Sequence, residues 1–118
     1  MSTQTRSPIT THILDLETGK PAAGVLVLLE RHHSGKFERM NESRTNQDGR
    51  CEALLAPDYA ITTGTYRLTF ATGEYFKDRG ESAFFPVIEI TFNITDVHRH
   101  HHVPLLLSPF GYSTYRGS

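Results

Sequence analysis

The sequence of 118 residues has one cysteine, no tryptophan and no long hydrophobic run. A single cysteine, Cys51, cannot form an internal disulfide, which excludes a disulfide-stapled secreted scaffold. We interpret Cys51 as a small core residue, because an unperturbed thiol is mostly inert. No apolar stretch approaches the roughly 20 residues that span a bilayer. These absences favour a cytoplasmic protein without a membrane partner.

A large excess of charge of one sign is also missing. The chain has 12 Lys and Arg residues against 13 Asp and Glu residues, for a formal net charge of -1. Without a basic field it lacks the means to hold nucleic acid or an anionic membrane. Its length suits one domain with one modest core. We predict a flexible N-terminal extension over residues 1–8, which has no apolar secretory core, and one domain over residues 9–118.

Short apolar stretches separated by turn signals dominate the chain, which is typical of a mostly β protein. Tyr66, Leu68 and Phe70, for example, alternate with polar residues, and this period of two marks a strand with one buried face. The predicted strands cover residues 9–16, 25–31, 36–45, 50–55, 66–70, 87–94, 100–107 and 110–115.

One segment, Thr72 to Arg79, breaks this alternation and predicts a short helix. Thr72 can cap its N-terminus, Glu74 suits its first turn and Gly80 can end it. Seven or eight short strands with a single helix favour an antiparallel β-sandwich over a parallel α/β fold.

Histidine is abundant, with seven in the chain, and His98-Arg99-His100-His101-His102 is the densest run. On a strand, His98, His100 and His102 would share one face and could offer ligands to zinc. Same-face neighbours are about 7 Å apart at a rise of about 3.3 Å per residue, so they converge poorly on one ion. We therefore expect no native metal and no cofactor, although adventitious metal binding stays open. The rest of the run, His98, Arg99 and His101, is interpreted as a solvated strand end.

Two histidines are candidates for chemistry. His102 borders an apolar run at residues 103–107, where partial burial would lower its pKa and keep a neutral general base available near pH 7. His12 lies in the first strand, where a lone histidine is usually structural. Arg50 follows a turn at residues 46–49 and is expected beside a loop. The chain has neither a nucleophile elbow nor a phosphate-binding glycine loop, so covalent catalysis and nucleotide binding lack support.

Three segments carry a family resemblance. They are Ile9-Thr10-Thr11-His12-Ile13-Leu14-Asp15 running into Gly19-Lys20-Pro21-Ala22, then Thr45-Asn46-Gln47-Asp48-Gly49-Arg50, and finally His102-Val103-Pro104-Leu105-Leu106-Leu107-Ser108-Pro109 followed by Tyr112-Ser113-Thr114-Tyr115-Arg116-Gly117-Ser118. Over essentially the whole chain after residue 8, the sequence resembles the 5-hydroxyisourate hydrolases, also called transthyretin-related proteins. The terminal Tyr-Arg-Gly-Ser separates that family from the hormone-carrying transthyretins, which share its fold.

The resemblance implies a transthyretin-like antiparallel β-sandwich that assembles into a homotetramer, with active sites in the channel between dimers. It implies hydrolysis of 5-hydroxyisourate to 2-oxo-4-hydroxy-4-carboxy-5-ureidoimidazoline, in urate degradation to allantoin, by a histidine-activated water without metal. The implied catalytic residues are His12, Arg50, His102 and Ser118. The implied substrate-binding residues are Arg50, Tyr115, Arg116, Gly117 and Ser118.

Several alternatives stay open from the sequence. The assignment of His102 in place of His100 depends on its position before Val103-Pro104, and either His12 or His102 can be the base. A transthyretin-like carrier of an aromatic or iodinated ligand is the alternative function, although the histidines and Arg50 do not suit its apolar channel. A histidine-rich metal binder on a β-scaffold is the third reading.

Overall fold

The computed structural model describes residues 6–118, which form two packed β-sheets and one short helix. In chain order the elements are β1 (Ile9–Asp15), β2 (Lys20–Pro21), β3 (Leu26–His33), β4 (Lys36–Arg44), β5 (Arg50–Cys51), β6 (Gly64–Phe70), α1 (Thr72–Asp78), β7 (Ile88–Ile94), β8 (His101–Ser108) and β9 (Gly111–Thr114). The first sheet has the order β2-β1-β8-β9, with β5 also paired to β1, and the second has the order β4-β3-β6-β7. The predicted mostly β fold with one helix is confirmed.

The core lies between the two sheets and follows the alternation of the sequence. Ile13 and Leu105 of the first sheet join Leu29 and Leu68 of the second in one fully buried cluster. Their intervening neighbours point away from the core because successive strand side chains alternate between faces. Such burial is favourable by roughly 25 cal/mol for each Å² of apolar surface removed from water. The sandwich therefore leaves one outer face of each sheet available for other roles.

One strand pair departs from the predicted antiparallel arrangement. β1 and β8 run parallel, with Thr10 opposite His102 and His12 opposite Pro104. Strands joined by a tight hairpin must be antiparallel, but β1 and β8 are separated by most of the chain, so no turn fixes their direction. The parallel register places the first strand of the chain beside its last histidine.

Two short strands differ from the prediction. The strand predicted over residues 50–55 contains only Arg50–Cys51, and Leu54 and Leu55 are buried without strand pairing. Their apolar character reflects burial in the core and not membership of a sheet. The β2 strand, Lys20–Pro21, is not among the predicted strands and pairs with the end of β1.

Helix α1 confirms the predicted helix, but Thr72 is its first residue and not its cap. The cap residue is Ala71, which makes no side-chain cap bond. The Thr72 hydroxyl instead donates a 2.8 Å hydrogen bond to the Phe85 carbonyl, which ties the helix to the segment before β7. Gly80 follows the helix with a φ of 73°, a backbone conformation that glycine adopts without strain.

The predicted N-terminal extension, residues 1–8, lies mostly outside the described residues. Its last two residues are packed against the domain. The Ser7 hydroxyl donates to the Ile9 carbonyl at 2.7 Å and accepts from the Leu55 amide at 3.2 Å. The Pro8 carbonyl accepts from the His101 amide at 2.9 Å. Ser7 and Pro8 therefore belong to the packed domain, and the predicted flexibility of the remaining extension stays a prediction.

Over residues 6–118, no helix has the length and apolar character that a membrane crossing requires.

Candidate active site

A cavity of about 350 Å³ lies on the outer face of the first sheet, beneath the C-terminal tail. It gathers every residue that the family resemblance assigned to the site except Arg116. The residues that line it are His12, Arg50, His102, Tyr115, Gly117 and Ser118, together with Arg6, Thr10, Thr11 and Glu52. Residues from both ends of the chain thus meet at one site.

Strand pairing brings the side chains of His12, Arg50 and His102 together. In the antiparallel pair of β1 and β5, His12 lies directly opposite Arg50. In the parallel pair of β1 and β8, His102 lies opposite Thr10, two residues before His12. Side chains two residues apart share a face, so His12 and His102 are diagonal neighbours on the outer face of the sheet. The two strand registers therefore fix this arrangement.

The C-terminal tail folds back over His102. The Gly117 amide donates a 2.9 Å hydrogen bond to the His102 carbonyl, forming an isolated bridge beyond β9. A Cβ atom on Gly117 would lie 2.5 Å from Cδ2 of His102, which is far inside van der Waals contact. Upstream, the Thr114 hydroxyl donates to the Pro104 carbonyl at 2.8 Å. Glycine at 117 thus permits the close approach that brings Ser118 to the cavity.

Arg116 does not line this cavity. It lines a neighbouring cavity of about 230 Å³, together with His101 and Phe92. Tyr115 and His102 border both cavities. The structure therefore separates Arg116 from the other members of the terminal Tyr-Arg-Gly-Ser.

The electrostatics of the cavity favour neutral imidazoles. Burial, and then the positive charge of Arg50, lower the pKa of His12. Burial, and then the charges of Arg50 and His12, lower the pKa of His102. Burial, and then Arg6 and His102, lower the pKa of His100 to about 4. Near neutral pH these rings are uncharged and able to accept a proton, as a general base must.

The histidine run is arranged differently from the prediction. His98 lies in a turn before β8, where its amide donates to Asp96 at 2.9 Å, so it does not join His100 and His102 on one strand face. His101 was expected to be solvated but is only 5% exposed. It occupies the same face of β8 as Val103, and that face packs toward the core. Side chains alternate between the two faces of a strand, so an outward-facing His102 implies that His101 faces inward and is buried.

Sequence reasoning missed Thr10. Its hydroxyl lies 2.8 Å from Nε2 of His100 and 2.8 Å from Nδ1 of His102. The available signal was its position two residues before His12, on the same face of β1. His100 was considered only as an alternative to His102, whereas the structure connects the two histidines through Thr10.

In the part of the chain that the structure describes, no group of three or more His, Cys, Asp or Glu side chains is placed to hold a metal ion. The rings of His100 and His102 stack with centroids 6.4 Å apart. Cys51 is buried away from the cavity lining, and burial raises the pKa of its thiol to about 11.

The fold and the cavity define a class of protein: a small β-sandwich with a polar, histidine-containing site for a small molecule on one sheet. The family described as "Transthyretin: HIUase/Transthyretin family" matches residues 9–117. The chain belongs to this family.

The similar proteins include 5-hydroxyisourate hydrolases and a transthyretin. The chain is 49% identical to the 5-hydroxyisourate hydrolase of Salmonella dublin over 110 residues, which cover 93% of this chain and 80% of that protein. Its structure is similar to that of Klebsiella pneumoniae 5-hydroxyisourate hydrolase, with 41% identity, a TM-score of 0.81 and coverage of 93% and 98%. It is also similar to sea bream transthyretin in complex with thyroxine, with 30% identity, a TM-score of 0.88 and coverage of 94% and 95%.

Proposed function

We propose that this chain hydrolyses 5-hydroxyisourate to 2-oxo-4-hydroxy-4-carboxy-5-ureidoimidazoline, a step in the degradation of urate to allantoin. The observation that carries the proposal is the meeting of His12, Arg50, His102 and Ser118 in one cavity. Relatives that bear the name 5-hydroxyisourate hydrolase match over most of the chain and support the same reaction.

The histidines supply the proton chemistry. Opening a cyclic amide requires a water molecule, a group that takes its proton and positive charge where the carbonyl oxygen becomes negative. His12 and His102 have lowered pKa values, so either can accept the proton of the attacking water near neutral pH. One of them acts as the base and the other orients the water or the ring. The proposed reaction uses no metal ion.

Arg50 supplies the positive charge. Its guanidinium lowers the pKa of both His12 and His102, so its field reaches both rings. A planar fork of donors matches the polar edge of a urate-like ring, and a fixed cation stabilises a developing oxyanion. Arg50 therefore serves in both binding and catalysis.

The tail completes the site. The hydroxyl of Ser118 borders the cavity and can orient the ring or relay a proton. Tyr115 and Gly117 form its wall, and the Gly117 bridge to His102 holds the tail in place. We retain Arg116 as a substrate-binding residue, as the resemblance implies, although it lines the neighbouring cavity of this chain.

We further propose a homotetramer in the cytoplasm, with the active sites in the channel between dimers. Exposed aromatic side chains support assembly, since Phe84 is 70% exposed and Phe110 is 80% exposed. The ring of Phe84 contacts that of Phe85, which contacts Tyr112, so these side chains form a contiguous apolar patch, and such patches mark interaction surfaces. A single unpaired cysteine supports a reducing compartment.

The transthyretin-like carrier is the second candidate, since the similar sea bream transthyretin is in complex with thyroxine. A carrier of an aromatic ligand needs a largely apolar channel. The cavity here is instead lined by charged and polar side chains, among them Arg6, Arg50 and Glu52. The hydrolase is therefore the better supported function.

The decay of freshly generated 5-hydroxyisourate, followed by ultraviolet absorbance in the presence of EDTA, tests the proposal. We expect faster decay with the protein, and an Arg50→Ala variant slower by about 100-fold to 1,000-fold, the usual cost of removing an oxyanion donor. Arg39→Ala is the matched control, because Arg39 is exposed on β4 and pairs with Glu42. Decay at the spontaneous rate, or full activity of Arg50→Ala, contradicts the proposal. Loss of the acceleration in EDTA contradicts its metal-free step.

A further inference from the structure

Three side chains form a continuous hydrogen-bonded chain that leads away from the cavity. The hydroxyl of Thr10 lies between His100 and His102, 2.8 Å from Nε2 of the first ring and 2.8 Å from Nδ1 of the second. The two rings stack nearly parallel, with an interplanar angle of 18°. Thr10 is 5% exposed, so water does not compete strongly for these hydrogen bonds.

The Thr10 hydroxyl has only one proton, which constrains both rings. Over residues 6–118 its only hydrogen-bond partners are these two rings, so it donates to one histidine and accepts from the other. If it donates to Nε2 of His100, then His100 is protonated at Nδ1, and Nδ1 of His102 must carry the proton that Thr10 accepts. If it donates to Nδ1 of His102, both rings carry their proton at Nε2. Thr10 therefore forces His100 and His102 into the same tautomer.

The two arrangements differ at Nε2 of His102, the ring nitrogen that Thr10 does not contact. Nε2 of a neutral His102 can accept a proton only when Nδ1 carries the proton of the ring, so only the arrangement with both rings protonated at Nδ1 makes His102 a base. His102 borders the cavity, where the proposed reaction needs a proton acceptor.

We propose that Thr10 and His100 are positioning residues that lock His102 in the tautomer with Nδ1 protonated, so that Nε2 of His102 is the open proton acceptor of the site. This inference rests on the proposed hydrolase function and assigns the base within it. His100, whose low pKa keeps its ring neutral, acts only through Thr10 and touches no substrate. A buried partner on the far nitrogen is a common means of fixing the tautomer of a histidine that works through its other nitrogen.

Nitrogen NMR of histidine-labelled full-length protein at neutral pH reads the tautomer directly, with His102 assigned by a His102→Gln variant. In the unchanged protein we expect His102 to be protonated at Nδ1. Thr10→Val, which removes the hydroxyl at nearly constant volume, should shift His102 toward the tautomer protonated at Nε2. It should lower kcat by about 10-fold to 100-fold, the usual effect of losing such a partner, with KM nearly unchanged. Thr10→Ser restores the hydroxyl and should recover the tautomer and most of the lost kcat.

His100→Phe provides a second variant if Thr10→Val does not fold, and it should shift the tautomer of His102 in the same direction. Protonation of His102 at Nε2 in the unchanged protein, or an unaltered tautomer and kcat in a folded Thr10→Val, would overturn the proposal. The NMR result does not depend on turnover. Absence of hydrolysis by the unchanged protein would therefore count against the proposed function. The tautomer of His102 would still test whether Thr10 and His100 fix it.

Discussion

Gly117 shows how one residue can determine whether the tail reaches the site. Its amide bonds to the His102 carbonyl, and its α-carbon passes so close to the ring of His102 that a methyl group would overlap Cδ2. Pro104 crowds the same position, since its Cγ would lie 3.2 Å from the added carbon. The glycine of the terminal motif therefore has a steric reason that is separate from any contact with substrate.

Gly117→Ala should displace the tail and move Ser118 away from the cavity. A displacement of about 1 Å in a catalytic arrangement can cost about 100-fold in rate, so we expect a large loss of kcat. The stability of the sandwich should be nearly unchanged, because the substitution lies beyond the last strand. Rates of 5-hydroxyisourate hydrolysis and thermal unfolding measure the two effects.

Gly111→Ala is the matched control for this prediction. An added Cβ at Gly111 would meet only the Ser108 hydroxyl, at 3.9 Å, which is ordinary contact. Its activity should stay near that of the unchanged protein. Equal activity of both alanine variants would show that the close approach of the tail is not needed.

At the scale of elements, Asp15 ties the end of β1 to helix α1. Its side chain is fully buried and accepts a 2.7 Å hydrogen bond from Tyr75, along with bonds from Arg79 and from the backbone amide of Glu17. Burial raises the pKa of Asp15, but the bond from Tyr75, the backbone amides and the charge of Arg79 outweigh it, so the pKa is lowered overall. The carboxylate therefore stabilises the fold while it is ionised.

Asp15→Asn should reduce the free energy of unfolding at pH 7 by about 1.5–3 kcal/mol, the range for hydrogen bonds to charged groups. A carboxyl whose pKa is lower in the folded state stabilises above its unfolded pKa of about 3.9, and this contribution is lost as pH falls through the folded value. The difference between the two proteins should therefore shrink in acid. Urea titrations at pH 7 and below pH 4 measure it.

Asp58→Asn, at an exposed carboxylate for comparison, should change stability little at either pH. A constant difference between Asp15→Asn and the unchanged protein from pH 7 into acid would mean that packing, and not ionisation, explains its effect.

At the scale of the whole molecule, the sequence predicted the positions of the strands, because these depend on local periodicity. Burial of one face produces the alternation at Tyr66 and Leu68, so most strand positions could be read directly. The parallel pairing of β1 with β8 could not be read, because it joins segments about 90 residues apart and no local signal encodes register between them. The meeting of His12 with His102 follows from that pairing, and only the family resemblance anticipated it. Thr10 was missed for the same reason.

The surface of the sandwich has features that bear on its assembly. One edge of the first sheet is β9 and one edge of the second is β7, and neither strand has a partner on its outer side within residues 6–118. Phe84, Phe110 and Leu16 expose apolar surface, the last at 52%. An unpaired strand edge and exposed apolar side chains are surfaces on which another copy of the same chain can pair or pack. The proposed tetramer would cover surfaces of this kind.

We therefore expect the unchanged protein to sediment as a tetramer and the double variant Phe84→Glu with Phe110→Glu to sediment as smaller species, because burying a carboxylate at an apolar interface is unfavourable. If the sites lie in the channel between dimers, hydrolysis should fall together with the loss of the tetramer. Lys36→Glu, an exposed charge change on β4, controls for charge alone. A monomeric unchanged protein, or a double variant that stays tetrameric, would contradict the assembly. A dissociated variant with full activity would instead show that each chain holds a complete site.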